Sequence, residues 1–366
     1  MFKGYDPSAF AAAVREFRLL PGKPAGSQCR RRINRIPYLS SIRDCHHASQ
    51  IESDAMRSEA RIVSASRRTD IPAFYTPWFM NRVRAGFCMY PNPMYPHKFY
   101  RVGLRPQEVL GIVFWTRHAA PLISRLPELD RAGFAYYFQY TIVGYPGTLD
   151  PQSPHPDIST KTFCDLSRQI GIDRIIWRYD PIVLSHELTV SWHKENFLRI
   201  VDNLAGATNR LVVSVIDPYV RTQRRVGTSE DGVLYNPEAY TDLLHWIAIE
   251  ASSRKLSVQS CAEAALTVPG ITSGTCIDAA LLCSPAGRKA LPEMRLHKQR
   301  EGCLCHHSVD IGVNDSCGFG CQYCYATTSH ARARESLHSH KPEWTCINQD
   351  VHIDILTNTP EQQLLL

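Results

Sequence analysis

The sequence predicts an α/β protein built as a TIM-like or partial (β/α) barrel of parallel strands. Two observations lead to this fold class. From residue 62 onward, short apolar runs rich in β-branched and aromatic residues alternate with stretches of helical spacing, which is typical of successive βα units. A chain of 366 residues with 44% hydrophobic content can also bury the core of one barrel-sized domain with extensions at its ends.

Seven apolar runs are the candidate strands of this barrel. They cover residues 62–66, 109–115, 135–142, 174–179, 211–217, 256–261 and 308–313. Helical spacing predicts helices at 77–85, 119–126, 160–170, 194–204, 237–254 and 277–282. The run 86–93 fits either a strand or an irregular loop.

The chain is expected to divide into a barrel body and flanking regions. Residues 56–300 form the body, and residues 301–330 supply its last strand and a cysteine-rich loop. Residues 331–366 are expected to be a C-terminal tail. Residues 1–55 lack strand-like alternation, so two interpretations stay open: an N-terminal extension, ordered or disordered, or sequence that precedes a true start at Met56.

Composition argues against several classes of function. The formal net charge is +6, but residues 1–55 hold nine Lys/Arg and five Asp/Glu, so the rest of the chain carries only +2. This distribution gives no support to nucleic-acid binding. No apolar run approaches the roughly eighteen residues that cross a bilayer, so no membrane partner is expected. The thirteen cysteines lie in a large chain without an apolar leader, which favours a cytoplasmic protein with reduced thiols.

Polar residues follow nearly every candidate strand, where a purely structural strand would stay apolar. In parallel barrels the residues beyond the carboxyl ends of the strands build the active site. The catalytic candidates are Arg67, Arg68, Asp70, Arg178, Asp180, Asp217 and Glu263. Thr116 and Gln139 are candidate cofactor contacts, and Arg117 and Tyr140 lie beside them. The arginines either bind an anionic group of a ligand or form internal pairs with the aspartates, and both alternatives stay open here.

Three cysteines, Cys317, Cys321 and Cys324, lie close together on one short segment near the C-terminus. Gly318 and Gly320 between them let the backbone wrap around a bulky group. Thiolates select zinc or iron–sulfur clusters, and structural zinc usually has four protein ligands. A [4Fe–4S] cluster held by three thiolates would keep one iron open to a substrate or cofactor, so this spacing indicates chemistry rather than scaffolding.

The motif, with Tyr323 before its last cysteine, resembles the cluster motif of the radical S-adenosylmethionine (SAM) enzymes. The resemblance implies that Cys317, Cys321 and Cys324 ligate a [4Fe–4S] cluster whose open iron binds SAM. An electron from the cluster would then cleave SAM to a 5′-deoxyadenosyl radical. It also implies a reductant such as flavodoxin or ferredoxin, and a substrate whose identity and anionic character are left open.

A narrower resemblance is carried by residues 64–72, 114–116, 177–182, 260–263, and 310–312 running into 317–325. On these residues the chain resembles a family of bacterial proteins, domain of unknown function 1848, over roughly residues 60 to 330. In radical SAM enzymes the motif follows the first barrel strand, whereas here it lies near the C-terminus. The sequence therefore predicts a circularly permuted barrel in which strand 308–313 pairs beside strand 62–66.

A second group of cysteines precedes the motif. Cys303 and Cys305 are two residues apart, and Cys261 and Cys276 lie upstream. Together they could hold an auxiliary iron–sulfur cluster or a structural zinc ion. The alternative is that Cys261 and Cys276 are buried as small apolar side chains, which is common for free cysteine.

Three classes of function follow from these features. The first is a radical SAM-type enzyme. The second is an iron–sulfur or zinc protein without SAM chemistry, acting in electron transfer or beside nucleic acid. The third is a barrel hydrolase that binds divalent metal through Asp70, Asp180, Asp217 and Glu263 and uses its cysteines for a structural metal.

Overall fold

The structure is a computed structural model that describes residues 60–216, 225–226, 237–261, 268–283, 296 and 303–351. The predicted N-terminal extension 1–55 lies outside the described residues, as do two catalytic candidates, Asp217 and Glu263. All of the described residues belong to one compact unit, Asp54–Leu366.

An eight-stranded parallel sheet organises this unit. Its strands are β1 (Arg61–Ala65), β4 (Val109–Thr116), β5 (Tyr136–Thr141), β6 (Ile175–Ile182), β7 (Arg210–Val215), β8 (Ser257–Ser260), β9 (Ile271–Ser273) and β10 (Ser308–Asp310). Their order in the sheet is β10-β1-β4-β5-β6-β7-β8-β9, and every neighbouring pair is parallel. The α/β class and the large parallel sheet are thus confirmed, and the sheet is consistent with a partial barrel.

Helices connect the strands. They are α1 (Ile71–Phe74), α2 (Thr76–Ala85), α3 (Ala120–Ile123), α4 (Leu126–Arg131), α5 (Pro156–Ile170), α6 (Val190–Asn203), α7 (Pro237–Ser253), α8 (Ala279–Cys283) and α9 (His330–Ser339). One 3₁₀ turn, Ile172–Arg174, precedes β6. Side-chain caps fix several helix starts: Asp70 accepts the N–H of Ala73 at α1, and Thr189 accepts the N–H of Trp192 at α6.

The strands are buried on both faces, as expected for a parallel sheet covered by connecting segments. On one face Phe114, Phe138 and Trp177 belong to the large core that includes residues of the helices. On the opposite face Val113 and Tyr137 pack in a smaller core with residues of the segments 276–283 and 303–305. We call this second face the inner face of the sheet, and the candidate site lies along it and at the carboxyl ends of its strands.

The predicted adjacency of the first and last strands is observed. β10 pairs with β1 through Ile62 with Ser308, Val63 with Val309 and Ser64 with Asp310. Among the described strands, β9 and β10 stand at the two ends of the order and do not pair with each other. The cysteine loop therefore follows a strand that neighbours β1.

Several elements differ from the sequence prediction. The run 86–93, left open between strand and loop, forms β2 (Phe87–Pro91), which pairs antiparallel with β3 (Phe99–Gly103). Strand β9 was not predicted. The strand predicted at 211–217 ends at Val215, and the helix predicted at 194–204 begins at Val190 because Thr189 caps it.

The described part of the predicted C-terminal tail packs against the fold. It contains α9, and beyond α9 the side chains of Cys346 and Ile347 are buried. The N–H of Met89 in β2 donates to the carbonyl of Thr345 at 2.8 Å, and Trp78 Nε1 of α2 donates to the carbonyl of Trp344 at 2.9 Å. Residues 340–351 thus cover the β2–β3 hairpin and α2.

Candidate functional site

Asp310, at the end of β10, receives hydrogen bonds from the segment that follows β1. Its carboxylate accepts Ser64 Oγ at 2.9 Å and the N–H of Arg67 at 2.9 Å, and it also accepts Ser66 Oγ and the Arg68 guanidinium. Burial by itself would raise the pKa of Asp310, but the charges of Arg68 and Arg67 and these hydrogen bonds hold it below its ordinary value. Asp310 thereby fixes the segment that carries the first two arginine candidates.

The close approach of these two strands depends on a glycine. A Cβ atom at Gly312 would lie 1.9 Å from Ser66 Oγ, so only glycine allows the backbone after β10 to pass here. The N–H of Gly312 also donates to Asp310 Oδ1 at 3.0 Å. Sequence reasoning did not select Asp310 as a site residue, although it ends an apolar strand just as the chosen candidates do.

Asp70 joins the segment after β1 to the end of β4. Its carboxylate accepts the N–H of Ala73 at 3.0 Å, Thr116 Oγ1 at 2.8 Å and the N–H of Arg117 at 2.7 Å. Burial raises the pKa of Asp70 to about 7, even though these donors favour the carboxylate. Asp70 and Thr116, predicted separately from two strand ends, are therefore in direct contact.

The motif loop is held by hydrogen bonds from three sides. Tyr75 Oη donates to the carbonyl of Ser316 at 2.6 Å, the N–H of Gln152 donates to the carbonyl of Phe319 at 3.2 Å, and an Arg225 guanidinium N–H donates to the carbonyl of Cys324 at 2.7 Å. Gly320 has a φ of +73°, a conformation that favours glycine. These hydrogen bonds hold the backbone of the loop.

The three motif thiols form one group, in which Cys321 is buried and Cys317 and Cys324 are half-buried. Cys317 Sγ accepts the backbone N–H groups of Phe319 and Asp70, and the thiols of Cys317 and Cys321 each interact electrostatically with that of Cys324. Burial raises the pKa of Cys317 to about 12, and it raises the pKa of Cys321 well above its ordinary value, against the opposing charge of Arg117. A metal bound here would displace these protons, because thiolate is the ligand form of cysteine.

Tyr323 ties the motif loop to the segment between β5 and α5. Its hydroxyl contacts Asp150 Oδ1 at 2.7 Å, and the Arg117 guanidinium donates to Asp150 Oδ2 at 2.8 Å. Arg117 also donates to the Tyr323 hydroxyl, and its guanidinium lies 5.6 Å from the centre of the Tyr323 ring. Asp150 was missed by sequence reasoning because it lies in a loop 173 residues from its tyrosine partner.

Arg178, Asp180 and Gln139 meet on the inner face. Arg178 Nε donates to Asp180 Oδ2 at 2.9 Å, and its Nη1 donates to Gln139 Oε1 at 3.2 Å. Asp180 also accepts the hydroxyl of Ser214. The Arg178 side chain is 5% exposed and that of Asp180 is 18% exposed. This arginine is therefore committed to an internal ion pair.

Trp115 separates two of the arginine candidates. The guanidinium of Arg67 lies 5.6 Å from the centre of the Trp115 ring, and that of Arg178 lies 5.1 Å from it. Arg67 Nε and Trp115 Nε1 are both buried and have no hydrogen-bond partner among the described residues. Since buried donors are almost always satisfied, this pair is the part of the site best suited to a polar ligand.

The second group of cysteines also lies on the inner face. Cys276 Sγ is 3.2 Å from Cys261 Sγ and accepts Arg178 Nη1 at 3.2 Å. The thiol of Cys305 hydrogen-bonds to those of Cys276 and Cys303. The four thiols lie as a chain, and within the described ranges no three His, Cys, Asp or Glu side chains are already arranged around one point as a metal ion requires.

Comparisons with known proteins identify a family and one distant structural relative. The model of the family described as "Domain of unknown function (DUF1848)" matches residues 62–326, more than half of the chain. No curated protein matches. Among solved structures, the chain is similar to the crystal structure of Streptococcus suis SuiB bound to precursor peptide SuiA, with 9% identity and a TM-score of 0.31. The match covers 69% of this chain and 60% of the SuiB chain, so the chain spans less than two thirds of that structure.

Proposed function

The chain belongs to the DUF1848 family, and from this premise we propose that it is a radical SAM-type enzyme. Cys317, Cys321 and Cys324 would ligate a [4Fe–4S] cluster. The observation that carries the proposal is the gathering of these three buried or half-buried thiols on one loop whose backbone accepts hydrogen bonds from neighbouring segments. Three ligands from the loop would leave one iron open to SAM.

The residues of the loop fit such a cluster. Cys317 Sγ accepts two backbone N–H groups, from Phe319 and Asp70, and Thr327 Oγ1 donates to Cys324 Sγ at 3.4 Å. Donors aimed at sulfur stabilise a metal-bound thiolate and tune the metal. The positive φ at Gly320 lets the chain turn between Cys317 and Cys321 without a Cβ in the way.

When bound, the cluster supplies the electron that cleaves SAM to a 5′-deoxyadenosyl radical. The chain's own residues would bind and orient the ligands. Arg67 Nε and Trp115 Nε1 offer two buried donors that the described protein leaves unsatisfied. We assign these two side chains to an anionic or carbonyl group of SAM or substrate, because ligand oxygens could accept the hydrogen bonds that these buried donors lack.

The other arginine candidates have internal roles in this proposal. Arg68 pairs with Asp310, Arg117 with Asp150, and Arg178 with Asp180. Each would position a neighbouring loop rather than contact the ligand. The sequence left open whether the arginines bind an anionic ligand group or form internal pairs with aspartates. In this proposal Arg67 binds the ligand and the other three form internal pairs.

The pairing of β10 with β1 supports a circularly permuted barrel. In this arrangement the strand that carries the motif is last in the chain, yet its loop opens beside Arg67 and Asp70. A reductant such as flavodoxin or ferredoxin would supply the electron.

A divalent-metal hydrolase has less support. The Asp70 oxygens are taken up by Ala73, Thr116 and Arg117, and those of Asp180 by Arg178 and Ser214. Carboxylates that already accept these hydrogen bonds have little capacity left for a metal ion. The other two carboxylates of that hypothesis, Asp217 and Glu263, lie outside the described residues.

Anaerobic purification and cluster reconstitution test the proposal. We expect the protein to bind iron and acid-labile sulfide with the visible absorption of a [4Fe–4S] cluster. Addition of SAM is then expected to change the electron paramagnetic resonance spectrum of the reduced protein, because SAM would bind the open iron. A spectrum that is unchanged by saturating SAM would favour an electron-transfer protein without SAM chemistry.

A further inference from the structure

We propose that Cys261, Cys276, Cys303 and Cys305 bind a single zinc ion that joins the two edges of the parallel sheet. This centre is separate from the motif cluster of Cys317, Cys321 and Cys324. The four residues come from three segments: the end of β8, the segment between β9 and α8, and the segment that leads into β10. The following observations carry the proposal.

The four thiols already contact one another in series. Cys261 Sγ lies 3.2 Å from Cys276 Sγ, and the thiol of Cys305 hydrogen-bonds to those of Cys276 and Cys303. Cys276, Cys303 and Cys305 are 3%, 6% and 4% exposed. Cys261 is half-buried. Packing alone does not require four thiols in contact from distant parts of the sequence, since small apolar residues would fill the same space.

The backbone directs both members of the Cys303–Cys305 pair toward the same side. Leu304 between them is 38% exposed, whereas its two neighbours are buried, which is the alternation of an extended chain. The N–H of Ile277 donates to Cys305 Sγ, and the N–H of His306 donates to the carbonyl of Ile277 at 3.0 Å. These bonds hold the segment 303–306 against the segment that carries Cys276.

The position of Cys276 is fixed from the sheet. Tyr137 Oη donates to the Cys276 carbonyl at 2.7 Å, and Gln139 Nε2 donates to the same oxygen at 2.9 Å. Both side chains come from β5, the strand in the middle of the inner face. The backbone that presents the thiol is therefore held by two hydrogen bonds from the sheet.

The separation of one pair of sulfurs, those of Cys261 and Cys276, is nearer to that in a zinc tetrathiolate than to that in a cubane cluster. Zn–S bonds of about 2.3 Å in tetrahedral geometry place the four sulfurs about 3.8 Å apart. The observed separation of Cys261 and Cys276 differs from this by about 0.6 Å. A cubane cluster places each thiolate on a separate iron and requires sulfurs much further apart.

Charge in the surroundings suits a tetrathiolate centre. Zinc with four thiolates carries a net charge of −2, and nearby cations and hydrogen-bond donors lower the cost of burying it. Arg178 Nη1 donates to Cys276 Sγ at 3.2 Å, and the charges of Arg67 and Arg178 both interact with the Cys276 thiol. A guanidinium N–H aimed at sulfur is the outer contact expected of a metal-bound thiolate.

The location gives the ion a structural role. Cys261 and Cys276 flank the β8–β9 edge of the sheet, and Cys303 and Cys305 precede β10 at the opposite edge. Among the described residues no strand pairing joins these edges. A zinc ion held by all four thiols would link them and would fix the segments that cover the inner face.

Metal analysis of the full-length chain tests this inference independently of SAM chemistry. The probe is the C317A/C321A/C324A variant, which lacks the motif ligands. We expect one zinc per chain, bound both in this variant and in the wild-type protein. Iron and sulfide at the second site of the variant would overturn the assignment to zinc, and so would a metal-free protein in which Cys261 and Cys276 form a disulfide.

Ligand variants identify the site. Cys276→Ser and Cys305→Ser are expected to lower zinc affinity at least tenfold in competition with a chelator, because each removes one of four thiolates. Cys283→Ser is the matched control, since Cys283 is a buried cysteine of α8 in the same apolar core and should leave zinc affinity unchanged. Unchanged zinc affinity in both ligand variants would refute the site.

Cobalt substitution covers the case in which a ligand variant does not fold. Co²⁺ bound to the wild-type chain should give the intense ligand-field bands of a tetrahedral tetrathiolate centre. A spectrum of octahedral, oxygen-bound Co²⁺ would overturn the inference. Failure of the radical SAM proposal would leave this result unaffected, because the test uses neither iron nor SAM.

Discussion

Asp310→Asn is expected to cause a large loss of stability, because Asp310 is the acceptor that joins β10 to the segment after β1. The carboxylate accepts two hydroxyls, the N–H groups of Arg67 and Gly312, and the Arg68 guanidinium. The side chains of Arg68 and Asp310 are only 12% and 18% exposed. Asparagine removes the charge and turns an NH₂ group toward these donors, which leaves Arg68 without its counter-ion.

The magnitude follows from breaking a mostly buried ion pair on one side, which costs about 3–5 kcal/mol. Thermal unfolding followed by circular dichroism should show the melting temperature falling by roughly 10 °C, at about 2–4 °C per kcal/mol for a domain of this size. The control is Glu128→Gln, which breaks a surface pair with Arg84 whose side chains are 32% and 50% exposed. Such exposed pairs contribute about 0–1 kcal/mol.

The pH dependence of stability is a second measurement of the interactions of Asp310. The folded pKa of Asp310 lies below its ordinary value of 3.8, so its contribution is present above that value and is lost as the pH falls through the lowered pKa. The variant should lose this part of the acid sensitivity. Equal and small shifts in melting temperature for Asp310→Asn and Glu128→Gln would refute the reasoning.

Three further predictions concern the site. Burial raises the folded pKa of Asp70 from 3.8 to about 7, so the free energy of unfolding should decline as the pH rises from about 4 to about 7. Asp70→Asn should flatten this part of a plot of unfolding free energy against pH. An unchanged slope in the variant would contradict a buried carboxyl at this position. Tyr323→Phe removes the hydroxyl contact with Asp150 and should lower the free energy of unfolding by about 1–3 kcal/mol. Iron content after reconstitution should stay at the wild-type level. Loss of iron in the variant would show that Tyr323 is needed for metal binding itself. Arg67→Lys should weaken SAM or substrate binding by about 1.5–3 kcal/mol with little change in melting temperature, and binding equal to that of an Arg84→Lys control would move the ligand contact elsewhere.

The strands of the sheet were predictable because each carries a strong local signal. β4 and β5 are runs of β-branched and aromatic residues that are buried along nearly their whole length. β9 has only three residues, Ile271–Ser273, and none of them is buried, so no periodicity identifies it. The β2–β3 hairpin was ambiguous because Pro91 and Pro93 interrupt its aromatic run.

Residue roles within the site were less predictable than their positions. Strand ends indicated Arg67, Arg68 and Arg178 equally well, yet only Arg67 keeps a buried donor without a partner among the described residues. The difference arises from Asp310, which lies 242 residues from Arg68 in the sequence. Local patterns carry no information about such long-range ion pairs, and the same reason hid the contact of Asp150 with Tyr323.

The grouping of the three motif cysteines was predictable because Cys317, Cys321 and Cys324 lie on one loop and are brought together without long-range contacts. Cys261 and Cys276 were grouped with Cys303 and Cys305 on their chemistry, and the contacts between their thiols agree with that grouping. Their spacing in sequence could not distinguish a zinc ion from a cluster. The proposal of zinc relies on the separation of Cys261 Sγ and Cys276 Sγ.

The most direct test of the radical SAM proposal is formation of 5′-deoxyadenosine from SAM under anaerobic, reducing conditions. The reconstituted wild-type chain should produce 5′-deoxyadenosine, and the C317A/C321A/C324A variant, shown by circular dichroism to be folded, should produce none because it lacks all three cluster ligands. Equal 5′-deoxyadenosine production by the wild-type chain and this variant, or none from a wild-type chain with a full complement of iron and sulfide, would contradict the proposal.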